Sequence, residues 1–397
     1  MSVQNLNSKK LNVGIVGAGP AGSLMAYLLA RLGHHVYLIE RRHQTDRKVC
    51  GEYLCPKGVE LLEQMNLFQQ VGSIFEPLHG MVLVSPLDVS IPAYFPTPSG
   101  SERGLSVNRQ LFDQKLLDLA LENGVDYLND TTVTKVFQAP EGDWTVETDS
   151  GSFRFNVLIA ADGRQSKIGH QLGHIKEINT KRAALHCYLP RKTARGNRMG
   201  EMHIFANESY CGLDPISDDE VNFSIVCNSE RLKKEKPIHI INEAIRNSKR
   251  LNAMFDPADE KTEIRIVTCL KNHNDFVAGN NLAYIGDAAG FIDPLTGEGI
   301  YNALLSSKIL ADCLSHEPDV AGALSLYKKT KRKLSFQKTL LNHFFQFLIR
   351  RTTLVNLTAS FLQKSQSRAN HFIGIIGNIH SPAKGLWKML FNFEGNQ

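Results

Sequence analysis

A chain of 397 residues with 42% hydrophobic and 21% charged residues has material for two or three packed domains, which excludes a disordered protein. Its net charge of +5 is unevenly spread: Val320 to Phe393 holds no Asp or Glu but twelve Lys and Arg, so the body is acidic and the tail basic. Met1 to Lys10 is polar and no eighteen-residue apolar run occurs, so neither a leader nor a membrane span is expected. The seven cysteines, at positions 50, 55, 187, 211, 227, 269 and 313, lack paired C-x-x-C spacing; they point to reduced thiols in a cytoplasm and to no metal site.

The chain opens with an apolar strand, Val13-Gly14-Ile15-Val16, then Gly17-Ala18-Gly19-Pro20-Ala21-Gly22, a helix from about Ala21 to Leu32, and a second apolar strand, Val36 to Ile39, ending in Glu40. G-x-G-x-x-G alone also marks ordinary turns. Here strand, turn, helix, strand and terminal acid agree on one βαβ unit that binds a dinucleotide. Gly17 permits the turn, Gly19 lets a pyrophosphate approach, and Gly22 lets the helix pack on the strand. Glu40 can accept both hydroxyls of an adenosine ribose, which suits FAD and NAD alike.

After Arg41-Arg42-His43 comes Cys50-Gly51-Glu52-Tyr53-Leu54-Cys55-Pro56, and Pro56 introduces a helix from Lys57 to Met65. Alternation from His79 to Phe95 predicts a hairpin belonging to a second, sheet-based domain. The stretch Leu105 to Asp113 starts a helix whose apolar positions, Leu111, Leu116, Leu117, Leu119 and Ala120, repeat up to Gly124, followed by strands at Thr132 to Phe137, Trp144 to Thr148 and Phe153 to Ala160, the last ending in Asp162-Gly163. That dipeptide is either a ligand-side loop of an open α/β sheet or a surface turn. From Arg182 to Leu270 the pattern predicts an antiparallel sheet interrupted by one helix, Ile238 to Lys249. A strand then runs to Ile285, a loop carries Gly286-Asp287 and Pro294, and Gly297 and Gly299 expose amides at the start of a helix near Glu298.

Three separated elements, the glycine turn with Glu40, Asp162-Gly163, and Gly286-Asp287 with Pro294, resemble in order and spacing the fingerprints of the FAD-dependent p-hydroxybenzoate hydroxylase superfamily over residues 11–315. Cys50-Gly51-Glu52 with Pro56, and Leu295-Thr296-Gly297-Glu298-Gly299, look like its branch of geranylgeranyl reductases and flavoprotein hydroxylases of polyketide and phenolic-lipid pathways. The resemblance implies an α/β fold: a Rossmann-like FAD-binding domain (11–75, 104–175 and 276–315), an inserted antiparallel-sheet substrate domain (76–103 and 176–275), and a basic helical C-terminal region (316–397). It also implies that Gly17, Ala18, Gly19, Ala21, Gly22, Glu40 and Arg41 hold the ADP half of FAD. Arg109 would contact the flavin or its pyrophosphate, Asp162 and Gly163 would shape the FAD channel, Asp287 would bond the ribityl chain, and the amides about Gly297, Gly299 and Ile300 would face the flavin edge that becomes negative on reduction.

Departures from the family narrow the chemistry. Halogenases of the superfamily carry Trp-x-Trp-x-Ile-Pro; the nearest stretch here is Tyr210-Cys211-Gly212-Leu213-Asp214-Pro215, so halogenation is not expected. No second G-x-G-x-x-G occurs, so NADPH or NADH would be a transient electron donor. Candidate catalytic residues are Cys50, Glu52 and Pro294; His79, His186 and His203 are candidates to act on a phenol or are ordinary hydrogen-bonded histidines. The reading is a cytoplasmic FAD-dependent monooxygenase hydroxylating a bulky hydrophobic, phenolic or polyketide-derived substrate with NAD(P)H and O2. A reductase of carbon–carbon double bonds and a non-catalytic flavin electron carrier are the alternatives. No nucleic-acid partner is expected, and the basic amphipathic tail is a membrane-docking face, a carrier-protein dock or a lid.

Overall fold

The computed structural model describes residues 10–391 apart from 44–47, 49–50, 97–102, 179, 193–197, 269–270, 292–294 and 296. The strand Asn12–Val16 lies inside a six-stranded sheet, flanked by His35–Ile39 and Val157–Ala160; Asp126–Leu128 lies beyond the first, Leu282–Tyr284 and Ala278–Gly279 beyond the second. All pairs are parallel except the last. Parallel strands are covered on both faces and so read as continuous apolar runs. Helices Pro20–Arg31, Arg109–Glu122 and Gly299–His316 share one buried core with Val13, Ile15, Val36 and Leu38. Trp144, Val146 and Phe155 of a three-stranded antiparallel sheet pack against Val16, Ile39, Leu158 and Ala160 on the other face.

One expected strand divides in two. Phe153 to Ala160 is split into Gly151–Phe155, in the small sheet, and Val157–Ala160, in the main one. Asn156 makes the break, because its side chain accepts from the Asn12 amide at 2.9 Å while its own amide donates to the Asn12 carbonyl at 2.8 Å.

The second domain is a seven-stranded sheet in the order Arg265–Thr268, Arg182–Pro190, Glu220–Asn228, Tyr210–Pro215, Met199–Ile204, Gly80–Val84, Ser90–Tyr94. The hairpin before the Arg109 helix thus joins strands from a hundred residues later. Every pair is antiparallel except Met199–Ile204 with Gly80–Val84, which is parallel where the sequence predicts antiparallel pairing throughout. Helices Pro237–Asn247 and Lys249–Met254 cover the outer face through Ile240, Ile241, Ile245 and Leu251. They replace the single expected helix, since Ser248 is extended and its side chain caps the second.

The tail is helical: Val320–Ile349, Thr352–Gln363, Gln366–Ile376 and Pro382–Phe391. Leu324 and Tyr327 enter the main core, and the Tyr327 hydroxyl donates to the Tyr284 carbonyl at 2.7 Å. Gln366 and Asn370 bond Pro92 and Tyr94, so a helix covers the sheet edge that would otherwise be open to strand pairing. No described helix is long and apolar enough to cross a membrane. The described cysteines, Cys55, Cys187, Cys211, Cys227 and Cys313, are free and buried.

Candidate functional site

The glycine turn adopts the strand-to-helix geometry its sequence predicts. Gly17 has φ 104°, and a side chain at Gly22 would meet the Gly17 carbonyl oxygen at 1.8 Å. A Cβ at Gly19 would meet only Lys48 Nζ, at 3.5 Å, so the space in front of it is open. Pro20 starts the helix; Ala21 and Gly22 follow in its first turn, where amides have no intrahelical partner. Glu40 closes the second strand and accepts from the Ala18 amide at 2.8 Å and the Arg42 amide at 3.1 Å, locking strand end to turn. Arg41 is exposed.

Arg109 is buried and makes a bidentate pair with Asp113, Nε to Oδ1 and Nη2 to Oδ2, both at 3.0 Å. Lys48 Nζ reaches the same carboxylate at 3.1 Å. Two cations about one carboxylate leave a net positive group beside the open face of Gly19, suited to a pyrophosphate. Sequence reasoning missed Lys48 and Asp113 as partners, although the i,i+4 spacing of Arg109 and Asp113 on a helix was a usable signal.

The body of the helix Gly299–His316 and the strand end at Gly286 pack against the first helix start. The Ser307 hydroxyl donates to the Ala21 carbonyl at 2.8 Å, and the Gly286 amide donates to Ser306 at 2.8 Å. Gly299 begins its helix with nothing within 4 Å of a built Cβ, Ile300 beside it is buried, and Gly297 turns with φ 66° against the Tyr53 ring. Asp287 is half-buried; burial raises its carboxyl pKa against the pull of Arg109, Arg164, Lys331 and Lys48. Asp162 accepts from the Ile168 amide at 3.2 Å, anchoring the short helix Lys167–Gln171, while its Oδ1 is buried without a partner among the described residues. Gly163 follows with φ 81°. Open backbone cradles at two helix starts, with cations beside them, fit a dinucleotide lying across both.

Facing this group is the inner side of the seven-stranded sheet, whose registers order its side chains into rows. One row runs Asp214, Asn222, Tyr188; the next Met202, Gly212, Ser224, His186; the next Ile204, Tyr210, Val226, Ala184. The first row meets the dinucleotide domain through Glu52, which is fully buried with φ 52° and accepts from the Arg109 amide and from Asn222 Nδ2, both at 2.9 Å. Burial raises the Glu52 carboxyl, and bonds from Arg109, Asn222 and Tyr188 oppose the rise. The apolar rows continue into a cavity of about 80 Å³ between the sheet and the tail helices, lined by residues such as Met81, Ile91, Phe345, Ile349, Ala359 and Ile376. The cleft is therefore polar at the dinucleotide end and apolar toward the tail.

Of the other candidates, Cys50 and Pro294 lie outside the described residues. His186 is buried on the inner face, edge-on to Tyr188 with centroids 4.9 Å apart. His203 does not face the cleft. It lies on the opposite side of its strand, bonded to Glu201 at 3.0 Å beside Arg250, and lines a separate cavity of about 300 Å³ with Asp88 and Ser248. His79 is exposed. Alternation along its strand sends His203 away from the site, and His79 lies just before the strand Gly80–Val84.

A family model described as an FAD binding domain matches residues 10–319. The chain belongs to this FAD-binding family. The expected superfamily and α/β fold thus hold, and the protein is an FAD-dependent oxidoreductase by family. It is 28% identical to digeranylgeranylglycerophospholipid reductase 2 of Methanosphaera stadtmanae, covering 74% of each chain. It is 25% identical to conditioned medium factor receptor 1 of Dictyostelium discoideum, over 90% of this chain and 74% of that one. Among solved structures it resembles CmlS, a flavin-dependent halogenase (TM-score 0.78, 21% identity, 93% and 73% of the two chains). It also resembles PqsL, a probable FAD-dependent monooxygenase from Pseudomonas aeruginosa (TM-score 0.74, 17% identity, 89% and 100%). At these identities the structural likenesses establish the fold.

Proposed function

We propose that the protein is an FAD-dependent monooxygenase that hydroxylates an amphiphilic phenol, an oxygen-bearing ring with a long apolar tail, using NADPH or NADH and O2. The observation that carries this reading is the direction of the polarity gradient. Asp214, Asn222, Tyr188, Ser224 and His186 lie at the dinucleotide end of the sheet, while the far end is lined by aliphatic and aromatic side chains. A substrate reacting at an apolar double bond would need no polar row there, since each buried polar group costs free energy unless it finds a partner.

In this reading the pyrophosphate lies against the open face of Gly19 and the free helix-start amides of Ala21 and Gly22, with Arg109 and Lys48 adding charge, while Gly17 and Ala18, whose amides are taken by Ile39 and Glu40, shape the turn that holds it. Glu40 takes the ribose hydroxyls near Arg41, Asp287 holds the ribityl chain, and Asp162 and Gly163 border the channel. Gly297, Gly299 and Ile300 bring helix-start amides to the ring edge that gains negative charge. FAD, once reduced, supplies the oxygen-activating chemistry; the side chains bind, orient and exclude water. The exposed face of the tail, where Phe336, Leu340, Phe344 and Phe347 repeat at helical spacing among lysines and arginines, docks on an anionic membrane surface that supplies the substrate.

Double-bond reduction is the second reading, favoured by the likeness to the digeranylgeranylglycerophospholipid reductase. Turnover of 5-alkylresorcinols with NADPH under labelled O2 separates the two. Product carrying one labelled oxygen supports hydroxylation. Anaerobic loss of double bonds from a polyprenyl lipid, with no oxygen incorporation in any phenol, replaces it with reduction. Electron transfer without conversion of either compound leaves a flavin carrier.

A further inference from the structure

Asp214 is the least expected side chain on the inner face, because it stands where the halogenase segment Trp-x-Trp-x-Ile-Pro has isoleucine. It is 4% exposed, and its Oδ1 has no hydrogen-bond partner among the described residues. The carboxyl fits because glycines flank it: a Cβ at Gly200 would meet Oδ1 at 3.1 Å, and one at Gly51 would meet Oδ2 at 3.9 Å. Gly51 precedes Glu52, and the Glu52 carboxyl is bonded to Asn222, the cross-strand neighbour of Asp214, so two carboxyls from different domains lie near each other. On the same strand face, two residues away, Gly212 has nothing within 4 Å of a built Cβ, which leaves open space beside Asp214.

We infer that Asp214 and Glu52 share a single proton across the domain boundary, and that Asp214 presents it as a hydrogen bond to an oxygen of the substrate seated before Gly212. The inference rests on the reading of an oxygen-bearing substrate. The division of the proton follows from the donors. Glu52 accepts from the Arg109 amide and Asn222, which favour its ionised form, whereas Asp214 Oδ1 accepts from no described residue. Burial pushes the Asp214 carboxyl well above the ordinary range, and the charge of Glu52 pushes it further. Two neighbouring buried carboxyls resist ionising together, so the proton stays on Asp214, whose Oδ1 has no donor among the described residues.

The other groups about the pair do not supply a neutralising charge to Asp214. Tyr53 and Cys211, both buried, are themselves pushed up, above all by burial, and carry no positive charge. Tyr188 and Asn222 lie across the strand and face Glu52. Arg109 acts on Glu52 from behind, paired with Asp113 together with Lys48. A neutral carboxylic acid in such a place is a strong directional donor, and a ligand lacking the matching oxygen leaves it unpaired.

The test has two arms on the FAD-loaded protein. In the first, infrared spectra in H2O and D2O report a protonated carboxyl at neutral pH; the band should shift in D2O, be present in the wild type and be missing in Asp214→Asn. Its absence from the wild type overturns the inference without touching the hydroxylase reading, since no substrate is involved. In the second, binding of 5-pentylresorcinol and of pentylbenzene is compared through the flavin spectrum. The wild type should prefer the resorcinol by about tenfold or more, and the preference should fall as pH rises and the pair loses its proton. Asp214→Asn, close in shape and still a donor, should keep the preference but lose its pH dependence; Asp214→Leu should abolish it. A preference unchanged in Asp214→Leu, or a pH dependence unchanged in Asp214→Asn, overturns the inference. A wild type that does not prefer the resorcinol removes the substrate reading and the inference with it.

Discussion

Substituting Gly19 and Gly22 separately distinguishes a ligand cradle from a packing constraint. At Gly19 the backbone is extended (φ −78°, ψ −175°), and an added Cβ meets only the end of Lys48, at 3.5 Å. Alanine there should change the stability of the cofactor-free protein by less than about 0.5 kcal/mol. If a pyrophosphate lies against that backbone, the new methyl group must displace it. At the usual cost of overpacking, about 1–3 kcal/mol, FAD affinity should fall about 5- to 150-fold. At Gly22 the Cβ would sit 1.8 Å from the Gly17 carbonyl oxygen and 3.2 Å from Ala161 Cβ, so backbone must move against backbone by more than ~1 Å. Gly22→Ala should therefore lower the melting temperature of the cofactor-free protein by several degrees as well as weaken FAD. Flavin fluorescence titration and thermal melts read both quantities. Unchanged FAD binding in Gly19→Ala, or destabilisation of the cofactor-free protein equal to that of Gly22→Ala, would refute the cradle.

Lys48→Ala should weaken FAD binding about tenfold with little loss of stability, because Arg109 still neutralises Asp113; equal affinity would remove Lys48 from the phosphate site. At Glu201 burial opposes ionisation, but bonds from His203 and Arg250 hold the carboxyl down to about 2. Its contribution is present above the ordinary value of 4.5 and is lost as pH falls toward about 2, so Arg250→Ala should cost about 2–3 kcal/mol in urea unfolding at neutral pH and less at pH ~3. A gap that does not narrow with acid contradicts the pairing. Replacing Phe336 and Phe344 with Gln, at 72% and 50% exposed positions, should leave the melt unchanged and reduce co-sedimentation with anionic vesicles, an effect that salt should mimic in the wild type; undiminished co-sedimentation would assign the tail to the lid role.

The dinucleotide end was legible because its constraints are local. A turn that needs Gly17 at φ 104° and Gly22 against a carbonyl writes glycines at fixed spacing, and a buried parallel strand writes an apolar run. The sheet opposite carries no such signature. Its polar row joins Tyr188, Asp214 and Asn222, three strands that meet only through register, and its acid partner, Glu52, comes from another domain. Asp214 in sequence is an acid before a proline, as in many turns. His203 and His186 differ in role only because one faces the outer helices and the other the cleft. Residues that act across a fold are set by pairing, which alternation alone does not determine.

If the substrate is the amphiphilic phenol proposed above, the gradient along the sheet also sets which end should select by tail length. The apolar cavity is closed on the tail side by Phe345 and Ile349, on the helix whose other face exposes Phe344 and Phe347, so one helix diameter, about 10 Å, separates cavity from surface. Ala359, on the next helix, lines the same cavity and is 5% exposed. Ala359→Leu adds three carbons to a space of about 80 Å³ and should shorten the tail the cavity accepts, at a stability cost of about 1–3 kcal/mol that a melt will read. Binding of a series of 5-alkylresorcinols should then weaken progressively with chain length while the shortest members bind as to the wild type, because the polar end is untouched. Equal loss at every length would mean that the substitution acts through general unfolding, and no loss at any length would place the tail elsewhere.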